Sequence, residues 1–242
     1  MRIVKQPYSL RINNYNKFEN ENSQPQQRHG ALLPSTIRCI ITGPSNCGKT
    51  NVMLNLLEHS NGVRFENVYV YSKSLYQPFY QYIKQLLQPI KGINYYEFSD
   101  GESIIINPSD AKPNSIFIFD DVACEKQSVM RDFFAMGRHN KIDSFYLTQT
   151  YAHIPKHLIR DNSNMLVLFK QDDMNLKHIY KDHVNTDMTF EKFSELCALC
   201  WNEDKYGFIV VCKDFDLNNG RYRKGFDHYI CCLLYTSDAA DD

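Results

Sequence analysis

No stretch of the 242-residue chain approaches the roughly 20 consecutive apolar residues that a membrane-spanning helix needs. There is no surplus of charge either. The 27 Lys and Arg against 28 Asp and Glu leave a net charge of −1, so the chain as a whole is not a basic nucleic-acid coat, and any contact with DNA must come from a local patch. The N-terminus is polar and broken by Pro7, without the apolar segment of a secretory signal. The eight cysteines form no framework of a small secreted domain. In a chain this long without a signal they read as reduced thiols in a cytosolic or nuclear setting. No internal repeat is found. What is present is an ordinary apolar share, 43%, and enough length for one α/β domain with a sizeable core.

The two ends differ from the middle. Residues 13–30 are rich in Asn, Gln and Glu without an apolar period, and residues 1–30 are expected to form a flexible polar arm. Residues 232–242, CLLYTSDAADD, resemble a translated sequencing adapter read through in frame. They are set aside from fold reasoning, which on this reading leaves the natural C-terminus missing. Between them, residues 31–231 are expected to form the folded domain.

Within that span short apolar runs alternate with amphipathic stretches. Strands are expected at residues 37–42, 68–71, 115–119, 144–148, 165–169 and 208–211, with short ones at 95–98 and 104–106. Helices are expected at residues 49–59, 75–87, 127–136, 174–183 and 190–200. Strands alternating with helices imply a mostly parallel sheet covered on both faces.

The chemistry is concentrated after the first strand. Gly43-Pro-Ser-Asn-Cys-Gly-Lys-Thr50 matches G-x-x-x-x-G-K-[ST] in full, with a strand before and an amphipathic helix after. Gly43 and Gly48 let the chain turn so that the N–H groups of Pro44-Ser45-Asn46-Cys47-Gly48 and their neighbours, Pro44 excepted for want of an N–H, point at phosphate oxygens. The start of the following helix adds its positive dipole end. Lys49 reaches the β- and γ-phosphates, and Thr50 offers a hydroxyl to Mg²⁺. The alternative is a glycine-rich strand–helix turn that binds nothing.

The strand at 115–119 delivers Asp120 and Asp121 to its C-terminal edge, the arrangement of a Walker B strand. Asp120 is expected in the Mg²⁺ shell and Asp121 as the group that polarises the attacking water. Neighbours on a strand point opposite ways, so the two do different work. The pair also fits a cap of the next helix. The second acid, which a nucleotide kinase or a Ras-like GTPase seldom needs at this place, favours ATP over GTP. One strand later, Gln149 follows Phe145-Tyr-Leu-Thr148. Its amide is placed to bond the γ-phosphate or the lytic water and report hydrolysis, or it is a solvated turn residue.

Taken together, Gly43 to Thr50, the Asp120-Asp121 strand, Gly137-Arg138-His139-Asn140 and Tyr146-Leu-Thr-Gln149 resemble the motif set of the viral genome-packaging ATPases of the FtsK–HerA superfamily. The relatives are the poxvirus-type packaging ATPases and those of Polinton and adintovirus-like elements. Residues 154–162 and Leu168-Phe-Lys170 are similar too, so the resemblance covers roughly residues 34–211. It implies a P-loop NTPase with a RecA-like, mostly parallel sheet flanked by helices, an Mg²⁺-dependent ATPase working in a homo-oligomeric ring, and double-stranded DNA moved without sequence preference into a preformed capsid. It also implies a virion-associated protein of the host cytoplasm or nucleus. Other P-loop machines remain alternatives: a helicase, an AAA-type remodeller, or a relict that binds nucleotide without turnover.

Ring ATPases often complete the site with an arginine from the next subunit. Arg138 is the first candidate and Arg160 the second, against surface arginines without such a role. Charges between Lys126 and Arg160 lean positive, and Arg221-Tyr-Arg-Lys224 is a second basic cluster. Both could track DNA phosphates, and both also fit ordinary solvated faces. Cys197 and Cys200, with Cys212 and His228, lack the spacing of a zinc site. His139, His153 and His157 read as polar-face residues, and the tyrosines as core and strand residues.

Overall fold

The computed structural model describes residues 27–99, 106–120, 127–202 and 204–231. The expected strand at residues 104–106 therefore falls largely outside the described residues; Ile106 itself is irregular. The adapter-like tail and residues 1–26 of the expected arm also lie outside them.

The strands that alternate with helices are β1 (Arg38–Thr42), β2 (Asn67–Ser72), β3 (Asn94–Phe98), β4 (Ser115–Asp120), β5 (Ile142–Thr148) and β6 (Met165–Leu168). All six are parallel, in the order β3-β2-β4-β5-β1-β6. Three antiparallel strands extend the sheet beyond β6: β7 (Ile209–Cys212), β8 (Tyr222–Lys224) and β9 (His228–Tyr229). Because strand residues alternate between faces, the sheet separates two cores. Cys39 and Ile41 of β1 and Ile116 and Ile118 of β4 face one core, where α1 (Lys49–Glu58) and α2 (Pro78–Leu87) supply Met53, Leu56, Tyr80 and Ile83. Ile40, Phe117 and Phe119 face the other, closed by Phe133 of α3 (Gln127–Met136), Leu176 of α4 (Asp173–Ile179) and Phe193 of α5 (Phe190–Asn202). This is the α/β, mostly parallel, helix-flanked sheet expected from the alternation.

Several boundaries moved for local reasons. Helix α2 begins at Pro78, because proline is favoured in the first turn and the preceding residues gain nothing from helical geometry. The helix expected at 174–183 is an α-helix capped by the Asp172 carboxylate, which accepts from Asn175 N–H. It passes at Tyr180–Val184 into a π turn. Strands β8 and β9 are too short and polar to carry an alternation of their own; they exist by pairing with β7.

Three expectations change with them. The cluster Arg221-Tyr-Arg-Lys224 is mainly part of the sheet. Arg221 and Tyr222 both bond the Asp187 carboxylate, at 2.5 and 2.7 Å, and Arg223 is buried, stacked 4.5 Å over Phe215 and donating to the Leu32 carbonyl. Three of its four side chains are thus occupied in holding the fold. Arg160 is neither a surface arginine nor ready to reach a neighbour: it is 8% exposed, 2.8 Å from Asp182, with its guanidinium over the Tyr151 ring. Finally, residues 28–30, counted with the arm, pack on the domain. Arg28 and His29 each place a nitrogen 3.1 Å from the fully buried Asp143 carboxylate, which also accepts from Ile37 N–H at 2.8 Å.

Candidate functional site

The phosphate-loop sequence occupies the crossing from β1 to α1, at the C-terminal edge of the parallel strands. Its glycines are dictated by space and backbone. A Cβ on Gly43 would stand 2.5 Å from Phe169 Cβ and 2.8 Å from Cys47 Sγ. Asn46 and Gly48 take left-handed φ values of 61° and 109°, which only glycine adopts freely. Gly48 is the N-cap of α1, and no side chain caps that end, so the first N–H groups of the helix face the loop. The Gly43 N–H donates to Thr148 O at 3.2 Å, tying the loop to the end of β5. Lys49 Nζ donates to the Gly43 and Pro44 carbonyls at 2.7 and 2.9 Å. The ammonium is thereby held over the loop. Burial pushes the neighbouring Cys47 thiol above its ordinary pKa, against the Lys49 charge.

Beside the loop lies a cleft of about 180 Å³, walled by Lys49 and Thr50, by Asp120 at the end of β4, by Thr148 and Gln149 at the end of β5, and by Gln77. The sheet register explains the convergence: Asp120 pairs with Leu147 of β5 and with Ser72 of β2. Gln149, one residue past β5, is exposed at the cleft's edge. The oxygen donors at this point, the Thr50 hydroxyl and the Asp120 carboxylate, have the hardness that Mg²⁺ prefers, and one or two carboxylates beside substrate phosphates suffice for it. Among the described residues no cluster of three His, Cys, Asp or Glu could hold a metal ion.

Asp120 has a partner that sequence reasoning missed. Tyr80, fully buried in α2, donates its hydroxyl to Asp120 Oδ2. Ser72 also bonds that hydroxyl. Burial first, and then the Asp120 carboxylate, push the phenol far above its usual range, so Tyr80 stays a proton donor. In the sequence Tyr80 is one apolar position of an amphipathic helix; no local signal marks it.

The structure thus brings Lys49, Thr50, Asp120 and Gln149 to one cleft. Asp121 lies outside the described residues. Arg138 lies in a 3₁₀ turn, Gly137–Asn140, that precedes β5. Its backbone is at the edge of the sheet opposite the cleft, about 20 Å away at roughly 3.3 Å per strand residue. The His183 ring sits in a separate buried network, 2.7 Å from the Tyr151 hydroxyl. Burial, with Lys213 and Arg160 nearby, pushes its pKa down to about 3. Cys197, Cys200 and Cys212 are buried free thiols; burial pushes the last two up to about 11. Among the described residues no helix is long and apolar enough to cross a membrane.

Comparisons with known proteins bear on the family and the fold. A family model described as "Poxvirus A32 protein" matches residues 26–223. No curated protein is matched. Among solved structures, the genome packaging NTPase B204 from Sulfolobus turreted icosahedral virus 2 in complex with sulfate is similar over 74% of this chain and 92% of its own, at 11% identity and a TM-score of 0.52. The same NTPase in complex with ATP-gammaS is similar over 74% and 93%, at 10% identity and a TM-score of 0.50. At these identities the likeness is one of fold.

Proposed function

The chain belongs to the family of the poxvirus A32 protein, and from that premise we propose that it is an ATP-hydrolysing motor that packages viral double-stranded DNA into a capsid. The observation that carries this reading is the convergence of Lys49, Thr50, Asp120 and Gln149, from three separate segments, on one cleft at the C-terminal edge of the parallel strands. That edge is where open α/β sheets bind their ligands.

In this reading the loop amides from Gly43 to Thr50 hold the phosphates of ATP, and Lys49 turns its ammonium to the β- and γ-phosphates. Thr50 and Asp120 hold Mg²⁺, which neutralises charge on the phosphate oxygens when bound. Asp121 polarises the attacking water. Gln149 bonds the γ-phosphate and transmits its loss along β5 and, through the Gly43–Thr148 hydrogen bond, back to the loop. An arginine from the next protomer completes the site in a homo-oligomeric ring, and Arg138 is the candidate. The motor grips DNA through phosphate contacts without reading sequence, acts in the host cytoplasm or nucleus, and associates with the virion. The segment before Arg28, and residues 232–242, stay outside the ATPase domain, whereas residues 28–30 pack on it.

The test is DNA-stimulated ATPase activity of the whole chain, with Lys49→Ala and Asp121→Asn beside it. Both substitutions abolish turnover, while Asp121→Asn retains nucleotide. Equal turnover in the wild type and Lys49→Ala refutes the enzyme reading; turnover indifferent to duplex DNA refutes the motor.

A further inference from the structure

The cleft around Lys49 and Asp120 is too small for a whole nucleotide. Its volume of about 180 Å³ falls below the roughly 300 Å³ at which small-molecule pockets begin. The base and ribose of a nucleotide need a second volume that joins the loop. One cavity of about 410 Å³ lies against Val52, Asn55 and Leu56 of α1. Those residues are three to seven positions past Lys49, about 5 to 10 Å along the helix at 1.5 Å per residue, and no residue from Gly43 to Thr50 lines the cavity.

Another cavity, of about 470 Å³, fits better. Pro44, Ser45 and Cys47 of the loop form one wall, and Phe169, Trp201 and Lys205 stand among the residues opposite. Ser45 lines this cavity and the phosphate cleft alike. The sheet order accounts for the pair of spaces. β1 lies between β5 and β6, so the loop has the ends of β4 and β5 on one side and the end of β6 with the start of β7 on the other. We infer that this second cavity receives the base and ribose of a purine nucleotide whose phosphates rest on the loop. The inference rests on the nucleotide-binding reading above.

Its walls suit a flat aromatic ligand. Phe169 lines the cavity and packs beneath the loop, its ring 3.5 Å from where a Gly48 Cβ would stand; Tyr206, between the lining residues Lys205 and Gly207, brings its Cδ1 to 3.7 Å from the same point, beside the cavity rather than in its wall. Tyr206 remains 48% exposed, although its position is fixed. Its N–H donates to Asp204 Oδ1 at 3.1 Å, and the next N–H, of Gly207, donates to Asp204 O at 3.0 Å. A Cβ on Gly207 would meet Cys200 O at 2.3 Å, so the turn is pressed against α5. The Trp201 indole N–H is anchored on Leu168 O at 2.9 Å. Aromatic rings held this way lose little entropy when a base stacks on them, and a purine covers more of such a surface than a pyrimidine. Asn202 and Asp204 at the rim supply an amide and a carboxylate for the polar edge of the base.

Trp201 is the only tryptophan in the chain, so its emission reports on this cavity directly. The whole chain is titrated in Mg²⁺ buffer with ATP, UTP and inorganic tripolyphosphate, binding being measured by calorimetry and emission together. ATP is expected to change Trp201 emission saturably, and tripolyphosphate to occupy the loop and leave the emission unchanged. UTP is expected to bind several-fold more weakly than ATP. Tyr206→Ala, on an exposed turn, is expected to weaken ATP about tenfold and leave tripolyphosphate as in the wild type. If ATP binds but leaves Trp201 emission unchanged, or if Tyr206→Ala alters ATP and tripolyphosphate equally, the base lies elsewhere while the phosphate loop still stands. If neither ligand binds, the nucleotide reading falls and takes this inference with it.

Discussion

The Tyr80 hydroxyl offers a single-atom test of the metal site. Tyr80→Phe removes one oxygen from a fully buried side chain and leaves the ring in its place between α2 and the sheet. The lost hydrogen bond runs to Asp120 Oδ2. Bonds to an ionised acceptor contribute about 1.5–3 kcal/mol, and burial keeps water from replacing the hydroxyl. At about 1.4 kcal/mol per tenfold, that corresponds to roughly ten- to hundredfold, the range in which outer-shell partners of metal ligands act. The expected phenotype is specific. The Mg²⁺ concentration giving half-maximal ATPase activity rises at least about tenfold, whereas the affinity for ATP in the absence of metal is unchanged. The assay is ATPase rate against free Mg²⁺ at saturating ATP, with calorimetric ATP binding in chelator as the control and Asp120→Ala as the limiting case. A Tyr80→Phe protein with wild-type Mg²⁺ dependence and rate, beside an inactive Asp120→Ala, would reduce Tyr80 to an ordinary core residue and refute the positioning argument.

Three further outcomes are expected. Gly43→Ala drives a Cβ into Phe169 and Cys47; overpacking of this kind costs about 1–3 kcal/mol, and ATP affinity should fall more than about tenfold as the loop shifts, so unchanged calorimetric binding would contradict the close fit. Asp143→Asn leaves Arg28 and His29 without the carboxylate they share; breaking such a pair costs about 3–5 kcal/mol, the low end applying here because Arg28 can turn to solvent, and urea denaturation at pH 7 should show it. The buried His183 has a folded pKa pushed down to about 3, below its unfolded value, so the unfolded state binds the proton first as pH falls. Stability present above about pH 6.5 is therefore lost on acidification toward pH 3, by up to about 1.4 kcal/mol per pH unit for one proton. Urea midpoints between pH 7 and pH 5 should fall less steeply for His183→Gln than for the wild type, and parallel slopes would exclude His183 as the source.

What could be read from the chain, and what could not, divides along the range of the interactions. The loop from Gly43 to Thr50 was legible because its function depends on eight contiguous residues whose backbone angles and side chains are prescribed together. Strands β1, β4, β5 and β6 were legible because both their faces are buried, which leaves unbroken apolar runs. Asp120 was found because the end of such a run marks an edge of the sheet. The partner of Asp120 lies forty residues away, and nothing near Tyr80 distinguishes a tyrosine that fills space from one that also holds a carboxylate. Strands β8 and β9 escaped for the converse reason. Their ladder is supplied by β7, so their own side chains were free to be Arg, Lys and His, and composition then read as a basic surface what is mainly one ion pair of Arg221 with Asp187 and an Arg223 buried over Phe215. Arg160 and the Arg28–His29 pair misled in the same way: a charge in a sequence looks solvated until the carboxylate that buries it, here Asp182 or Asp143, is brought alongside. The cavity beside Trp201 joins segments of the loop, β6 and the turn after α5, and no one of them carries a motif. A contiguous motif therefore marks the loop that would hold phosphates, whereas the hydrogen bond of Tyr80 to Asp120 and the cavity beside Trp201 are tertiary properties, visible only once the strands are in order.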